Sequence, residues 1–167
     1  MRFFIIVFYT LFFGLASTVT SATIEADCDY PSGTYHNETL PSPKACEDLC
    51  RQNKNCRAFT FISGWKKCFL KNKIGKKFNI VMKSGDRSLR EANGDLKIHV
   101  SKDHSGKDIK QVAKIKTAKE CAAACQQQSD CYAFTFIDGY ATCWLKSKPG
   151  QLRGKTFFCG KMPSKSL

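Results

Sequence analysis

Apolar positions fall into three kinds of run along the chain. The first, Phe3 to Ala16, is almost unbroken, follows the lone charge of Arg2, and gives way to Thr20-Ser21-Ala22. A charged start, a short apolar stretch and a small-residue exit predict a secretory signal peptide, residues 1–22, cut after Ala22. At 14 residues the stretch falls short of the roughly 20 that span a bilayer. The second kind recurs at helical spacing: Ala45, Cys46, Leu49 and Cys50 in one place, Cys121, Ala122 and Cys125 in another. Ser42 with Pro43 behind it, and Thr117 with Glu120 three residues on, supply the start signals, the second a capping box. The third kind is dense in aromatic and β-branched residues, Cys56 to Ile62 and Cys131 to Ile137. Each leads through a glycine-bearing turn into Lys67–Lys71 or Thr142–Lys146, which predicts a β-hairpin laid on each helix. Strand alternation turns Phe59, Phe61, Phe134 and Phe136 toward the helix as core.

The two sets of elements are copies. Shifting the chain by 75 residues lays Ser42–Lys71 on Thr117–Lys146 without a gap, and 14 of the 30 positions are identical. Four cysteines superpose, Cys46, Cys50, Cys56 and Cys68 on Cys121, Cys125, Cys131 and Cys143, as do the two Ala-Phe-Thr-Phe-Ile segments. Leu70-Lys71 likewise falls on Leu145-Lys146. The charged stretch around Asn93-Gly94 has no sustained periodicity and places the boundary. The expected organisation is a domain over 23–88, a linker over 89–98, a second domain over 99–163 and a tail over 164–167.

Cysteine chemistry sharpens this picture. All ten cysteines follow the expected cut, and an even number in a short secreted chain predicts a disulfide framework. Zinc is the alternative reading of such cysteine spacing, but the pairs are Cys46-x3-Cys50 and Cys121-x3-Cys125 and His36, His99 and His104 sit outside any ligand-like cluster, so no metal or cofactor is expected. Bridges from helix to strand, Cys46 with Cys68, Cys50 with Cys56, Cys121 with Cys143 and Cys125 with Cys131, suit the layout, although spacing alone does not fix them. A loop of about 20 residues so closed gains roughly 3 kcal/mol, which matters for units of this size.

The helix with Cys-x3-Cys, then Cys-x-Ala-Phe-Thr-Phe, then Cys-Phe/Trp-Leu-Lys resembles the PAN/apple domain, twice over and across nearly the whole chain after the signal. The resemblance implies an α+β fold in two small disulfide-stapled units, each a short twisted antiparallel sheet wrapped around one helix. It also implies the helix-to-hairpin pairing above, and a non-catalytic module that binds proteins or carbohydrates. The sequence departs from the six-cysteine apple pattern in keeping one end cysteine per copy. Counted from Ser32-Gly33 and Ser105-Gly106, Cys28 faces Ser101; at the 75-residue offset Cys159 faces Ser84. Cys28 and Cys159 are therefore complementary orphans. They predict an inter-domain bridge, with free thiols or a bridge to another chain as the alternatives.

Charge and missing motifs narrow the function. The whole chain carries +13, and loss of Arg2 leaves 26 basic against 14 acidic residues, or +12, which points to an anionic partner or to a solvated basic surface. No Gly-x-Ser-x-Gly, His-Glu-x-x-His or phosphate-loop motif occurs, so no enzyme activity is expected, and secretion removes nucleic acid as the usual partner of a basic stretch. No later segment is apolar enough to span a membrane. The hairpin tips are the candidate ligand contacts: Trp65, Lys66, Lys67 and Lys71 in copy one, Tyr140 and Lys146 in copy two. Aromatic faces stack on sugar rings while lysines pair with anionic groups. The expected protein is secreted or extracellular, or periplasmic in a bacterium, and recognises a carbohydrate; a protein partner is the alternative. Asn37-Glu38-Thr39 is a glycosylation acceptor in a eukaryotic host.

Overall fold

A computed structural model describes residues 21–90 and 94–163, so all of the expected signal segment but Ser21 and Ala22, and the tail, lie outside the described residues. In chain order the first copy contains β1 (Glu25–Ala26), β2 (Cys28–Asp29), β3 (Thr34–Thr39), α1 (Pro43–Gln52), β4 (Ala58–Ile62), β5 (Lys67–Lys71) and β6 (Phe78–Asn79). There follow β7 (Met82–Arg90), β8 (Leu96–Val100), β9 (Lys102–His104), β10 (Asp108–Ala113), α2 (Ala118–Gln127), β11 (Ala133–Ile137), β12 (Thr142–Lys146), β13 (Leu152–Gly154) and β14 (Phe157–Lys161).

Local chemistry sets the helices where the sequence signals put them. The Ser42 hydroxyl accepts from the Ala45 N–H at 3.1 Å, and the Thr117 hydroxyl accepts from the Glu120 N–H at 3.1 Å. Glu120 reaches back to the Lys116 N–H at 2.8 Å, one residue beyond the cap itself. Each helix presents two half-cystines to its own sheet. Cys46–Cys68 and Cys50–Cys56 staple copy one, and Cys121–Cys143 and Cys125–Cys131 staple copy two. Phe59, Phe61, Phe134 and Phe136 are at most 1 % exposed and fill the space between sheet and helix.

The sheets are not each built from one copy. One runs β1-β14-β4-β5-β3 and the other β10-β12-β11-β7-β8, so each central strand has its own hairpin partner on one side and a visitor on the other. Strand β14, from the end of the chain, lies on β4 with Phe157 opposite Ile62 and Lys161 opposite Ala58. Strand β7, which follows copy one, lies on β11 with Met82 opposite Ile137 and Asp86 opposite Ala133. Every one of these registers is the other moved by 75 residues. The exchange is therefore a pseudo-two-fold swap, and the expected domain over 23–88 gives up its last strand to the second copy. The interval 89–98, expected as a linker, holds the end of β7 and the start of β8.

Glycine makes the close pairing fit. A Cβ on Gly85 would stand 2.7 Å from the Phe134 ring, and one on Gly160 would stand 2.6 Å from the Phe59 ring. The hairpin tips engage the opposite copy through their backbones as well. Ser63 N–H donates to Thr156 C=O at 3.0 Å, and Asp138 N–H donates to Val81 C=O at 2.9 Å. Between the two sheets lies a shared apolar cluster of Ile62, Ile80, Met82, Ile137 and Phe157, with Phe69, Phe78, Tyr140 and Trp144 packed against it.

Cys28 and Cys159 are bonded, with Cα atoms 5.5 Å apart across 131 residues of chain. Cys159 sits on the visiting strand β14, so the bridge ties that strand to β2 of copy one. The counterpart of Cys28 in copy two is Lys102, not Ser101. Asp29 and Asp103 each accept from the central threonine of their strand, and Asp27 and Ser101 share the left-handed backbone at φ 54° and 51°, an offset of 74. Counting from the Ser-Gly pairs misplaces the match by one because those pairs are not structural equivalents: the offset is 74 on both sides of them, with Gly33 matching Lys107 and Thr34 matching Asp108.

Candidate functional site

The central strands Ala-Phe-Thr-Phe-Ile are buried on both faces. Phenylalanines point at the helix, so alternation sends Thr60 and Thr135 to the far side. There the two sheets enclose a cleft of about 780 Å3, within the range of ligand sites. Both copies line it. Its apolar walls include Ile62, Phe69 and Phe157 on the sheet of copy one, with Met82, Ile137 and Trp144 on the other. Its polar groups are Asp29, Thr34, Thr60 and Lys71 from one copy, and Asp103, Asp108, Thr135, Lys146 and Lys155 from the other.

The charged groups neutralise each other. Lys71 is 4 % exposed; its Nζ donates to Thr34 Oγ1 at 2.5 Å and lies 4.0 Å from Asp29 Oδ1. Asp29 also accepts from the Thr60 hydroxyl and from the Tyr140 hydroxyl of the other copy. In copy two Lys146 Nζ donates to Asp108 Oδ1 at 2.5 Å and stands 3.6 Å from Asp103 Oδ1. Asp103 accepts from the Thr135 hydroxyl at 2.6 Å and from Lys155, whose ammonium lies 4.0 Å from the centroid of the Trp65 ring. Three aspartates thus face three lysines in one enclosure, where unpaired charge would cost several kcal/mol.

Titration follows from this pairing. Burial pushes the Lys71 ammonium down, with Asp29 opposing, and burial pushes Lys155 down against its hydrogen bond to Asp103. Burial also raises the Asp103 carboxyl, but the hydrogen bonds from Lys155 and Thr135 outweigh it and hold the group below its ordinary value. The Tyr140 hydroxyl is raised, first by burial and then by its hydrogen bond to Asp29, so it stays a donor at any physiological pH.

Of the residues singled out from sequence, the structure brings Trp65, Lys71, Tyr140 and Lys146 together in the cleft. Trp65 lines the cleft and is 52 % exposed, so its ring is open to a ligand entering there. Lys66 and Lys67 do not line the cleft. Lys66 takes the left-handed turn position at φ 51°, and Lys67 donates to Asn37 Oδ1 at 3.4 Å on the outer edge. Asp29, Asp103, Lys155, Phe69 and Trp144 escaped the sequence reading. Their signal was the threonine kept between two phenylalanines in both copies: a strand polar in its middle and apolar at both ends has a second face to cover. Among the described residues no group of histidine, cysteine, aspartate or glutamate has a metal-binding arrangement, and no helix is long and apolar enough to cross a membrane.

Comparison with known families bears on both halves of the cleft. A family model of the PAN domain matches residues 25–93, and a second PAN domain model matches residues 102–146; together they cover 114 of the 167 residues.

Proposed function

Since the chain belongs to the PAN domain family, with two tandem domains that bind proteins or carbohydrates in other members, we propose that it is a secreted, lectin-like protein that holds a glycan in the cleft between its copies. The observation that carries this reading is the cleft's chemistry. Tryptophan, tyrosine and phenylalanine surfaces stand beside threonine hydroxyls and paired carboxylates. Sugars present one apolar ring face and a rim of hydroxyls, so aromatic walls and fixed donors and acceptors together are what they need.

The ligand of the cleft is uncharged or nearly so. An anionic sugar would have to break the Asp–Lys pairs to reach Lys71, Lys146 or Lys155, leaving an aspartate unpaired. Among the described residues, exposed lysines outside the cleft such as Lys44, Lys54, Lys73, Lys76 and Lys77 carry much of the excess positive charge, where it favours approach to an anionic cell surface or wall without choosing the sugar. Ten cysteines in five bridges and the N-terminal apolar run support an extracellular location.

A glycan array probed with the oxidised protein at low and at physiological salt tests this. Binding should select neutral oligosaccharides, change little with salt, and fall roughly tenfold or more in Trp65→Ala, which loses the stacking wall. Silence across the array would move the assignment to a protein partner, and binding to sulfated glycans that salt abolishes would move it to the exposed lysines.

A further inference from the structure

A second buried charge has no part in the cleft. Glu47 lies on α1, on the face turned to the core, and is 1 % exposed. Its Oε1 accepts from the Ser21 hydroxyl at 2.7 Å and from the Ala22 N–H at 3.0 Å, and it pairs with Arg51 one turn on. Its Oε2 is buried with no hydrogen-bond partner; the Lys44 ammonium is 3.5 Å away, itself more than half exposed. The matching residue of α2 is Ala122, so only the copy nearest the start of the chain carries the group. Ala22 is 8 % exposed and packs in the core of copy one with Cys46 and Met162.

These observations fit a chain whose N-terminus is at this place. We infer that the mature protein begins at Ala22, and that its α-ammonium group is held by the buried carboxylate of Glu47. A single N–H satisfies one oxygen; an ammonium brings three donors, enough to reach the unpartnered Oε2 as well, and a cation beside the carboxylate in addition to Arg51. The step is hydrolysis of the Ser21–Ala22 peptide bond by a signal peptidase. Water supplies the hydroxyl of the new Ser21 carboxylate, and the amine leaves with Ala22 and takes up a proton. Ser21 and Val19 at the last and third-last positions of the leader are small and uncharged, as such a cut requires. Either cut takes away the Ser21 hydroxyl; a cut after Ala22, the site expected from the sequence, would also remove the Ala22 nitrogen and one buried methyl. The inference rests on secretion, and is independent of what the cleft binds.

Intact-mass measurement and N-terminal sequencing of the protein secreted from a eukaryotic host test it. A chain starting at Ala22 is expected; a start at Thr23, at Ser17 after the Gly14-Leu15-Ala16 exit, or at Met1 overturns it. A retained Met1 would also remove the secreted reading, whereas the other two starts would leave that reading intact. On the Ala22 chain, an amine-acylating reagent at neutral pH should label the α-amine roughly tenfold or more slowly in the native state than after unfolding, since an amine held as ammonium by a carboxylate is less often neutral. Equal rates overturn the pairing, and Glu47→Gln should raise the native rate toward the unfolded one.

Discussion

Where copy one fastens its visiting strand with the Cys28–Cys159 bridge, copy two places Ser84 and Lys102. Ser84 is fully buried with its hydroxyl unpartnered, and Lys102 is exposed. Where copy one buries Tyr30, copy two buries His104, 3 % exposed and 6.3 Å ring to ring from His99. Where Asp29 takes a tyrosine hydroxyl from across the cleft, Asp103 takes the Lys155 ammonium. The hairpins, helices and intra-copy bridges are alike, while the pieces that close each sheet differ. Packing between helix and strand leaves little freedom to vary, whereas the task of holding a visiting strand can be met by a covalent bond, an ion pair or buried area alone.

The largest effect should come from removing the visitor itself. Truncation before Phe157 takes β14 from copy one and opens both the edge of β4 and the Phe59 ring to water. The product should lose the native fold of copy one, seen as loss of dispersed amide signals from β3 to β5, or should associate through the open edge. A folded monomer would mean that copy one is complete by itself and that the exchange is incidental.

Next in size is the bridge. Cys28→Ser with Cys159→Ser releases a loop of 131 residues, worth about 5 kcal/mol in the chain-entropy limit. Transplanting it should work because the copies superpose. Ser84→Cys with Lys102→Cys is expected to form a sixth disulfide and to add roughly 3 kcal/mol, read as a higher midpoint in denaturant for copy two. Two alkylatable thiols in that variant would show that the pseudo-two-fold relation fails at this corner.

The smallest effect concerns pH. Burial lowers the His104 imidazole below its ordinary value, against the attraction of Asp86, so the unfolded chain takes up the proton first. Stability from this group is complete above about 6.5 and declines as pH drops below it. Thermal unfolding followed at pH 7.5 and 5.5 should therefore show a lower Tm at the acid value. His104→Tyr, which installs the residue of copy one, should shrink that difference.

Much of copy-level structure was legible. The cap residues Ser42 and Thr117, the half-cystine stripes and the four phenylalanines all express short-range rules of period and capping; the four hairpin strands lie within two residues of their expected bounds, and both helices start behind their expected caps. The candidate site was legible in part. Trp65 and Tyr140 stood out as aromatics at matched tips, and Lys71 and Lys146 as repeated lysines, but they read as hairpin-tip contacts. Asp29 and Asp103 were invisible because they lie on two- and three-residue strands with no pattern of their own, and they matter only through the threonines they meet across the sheet.

Short-range pattern was enough for the two copies, the helix and hairpin of each, and the recognition of Cys28 and Cys159 as unmatched cysteines, whose pairing with each other stood beside free thiols and a bridge to another chain. Only the tertiary structure decided which strand each sheet adopts, and with it the cleft. Strands β7 and β14 enter in the same register and carry glycine at the same place, Gly85 and Gly160, although β7 runs on to nine residues and β14 to five, and the edges of β4 and β11 offer the same backbone donors and acceptors. Local pattern therefore cannot choose between keeping a strand and trading it. That choice was made over the whole molecule, by the lengths of the connections, the apolar cluster shared between the sheets and the single long-range disulfide.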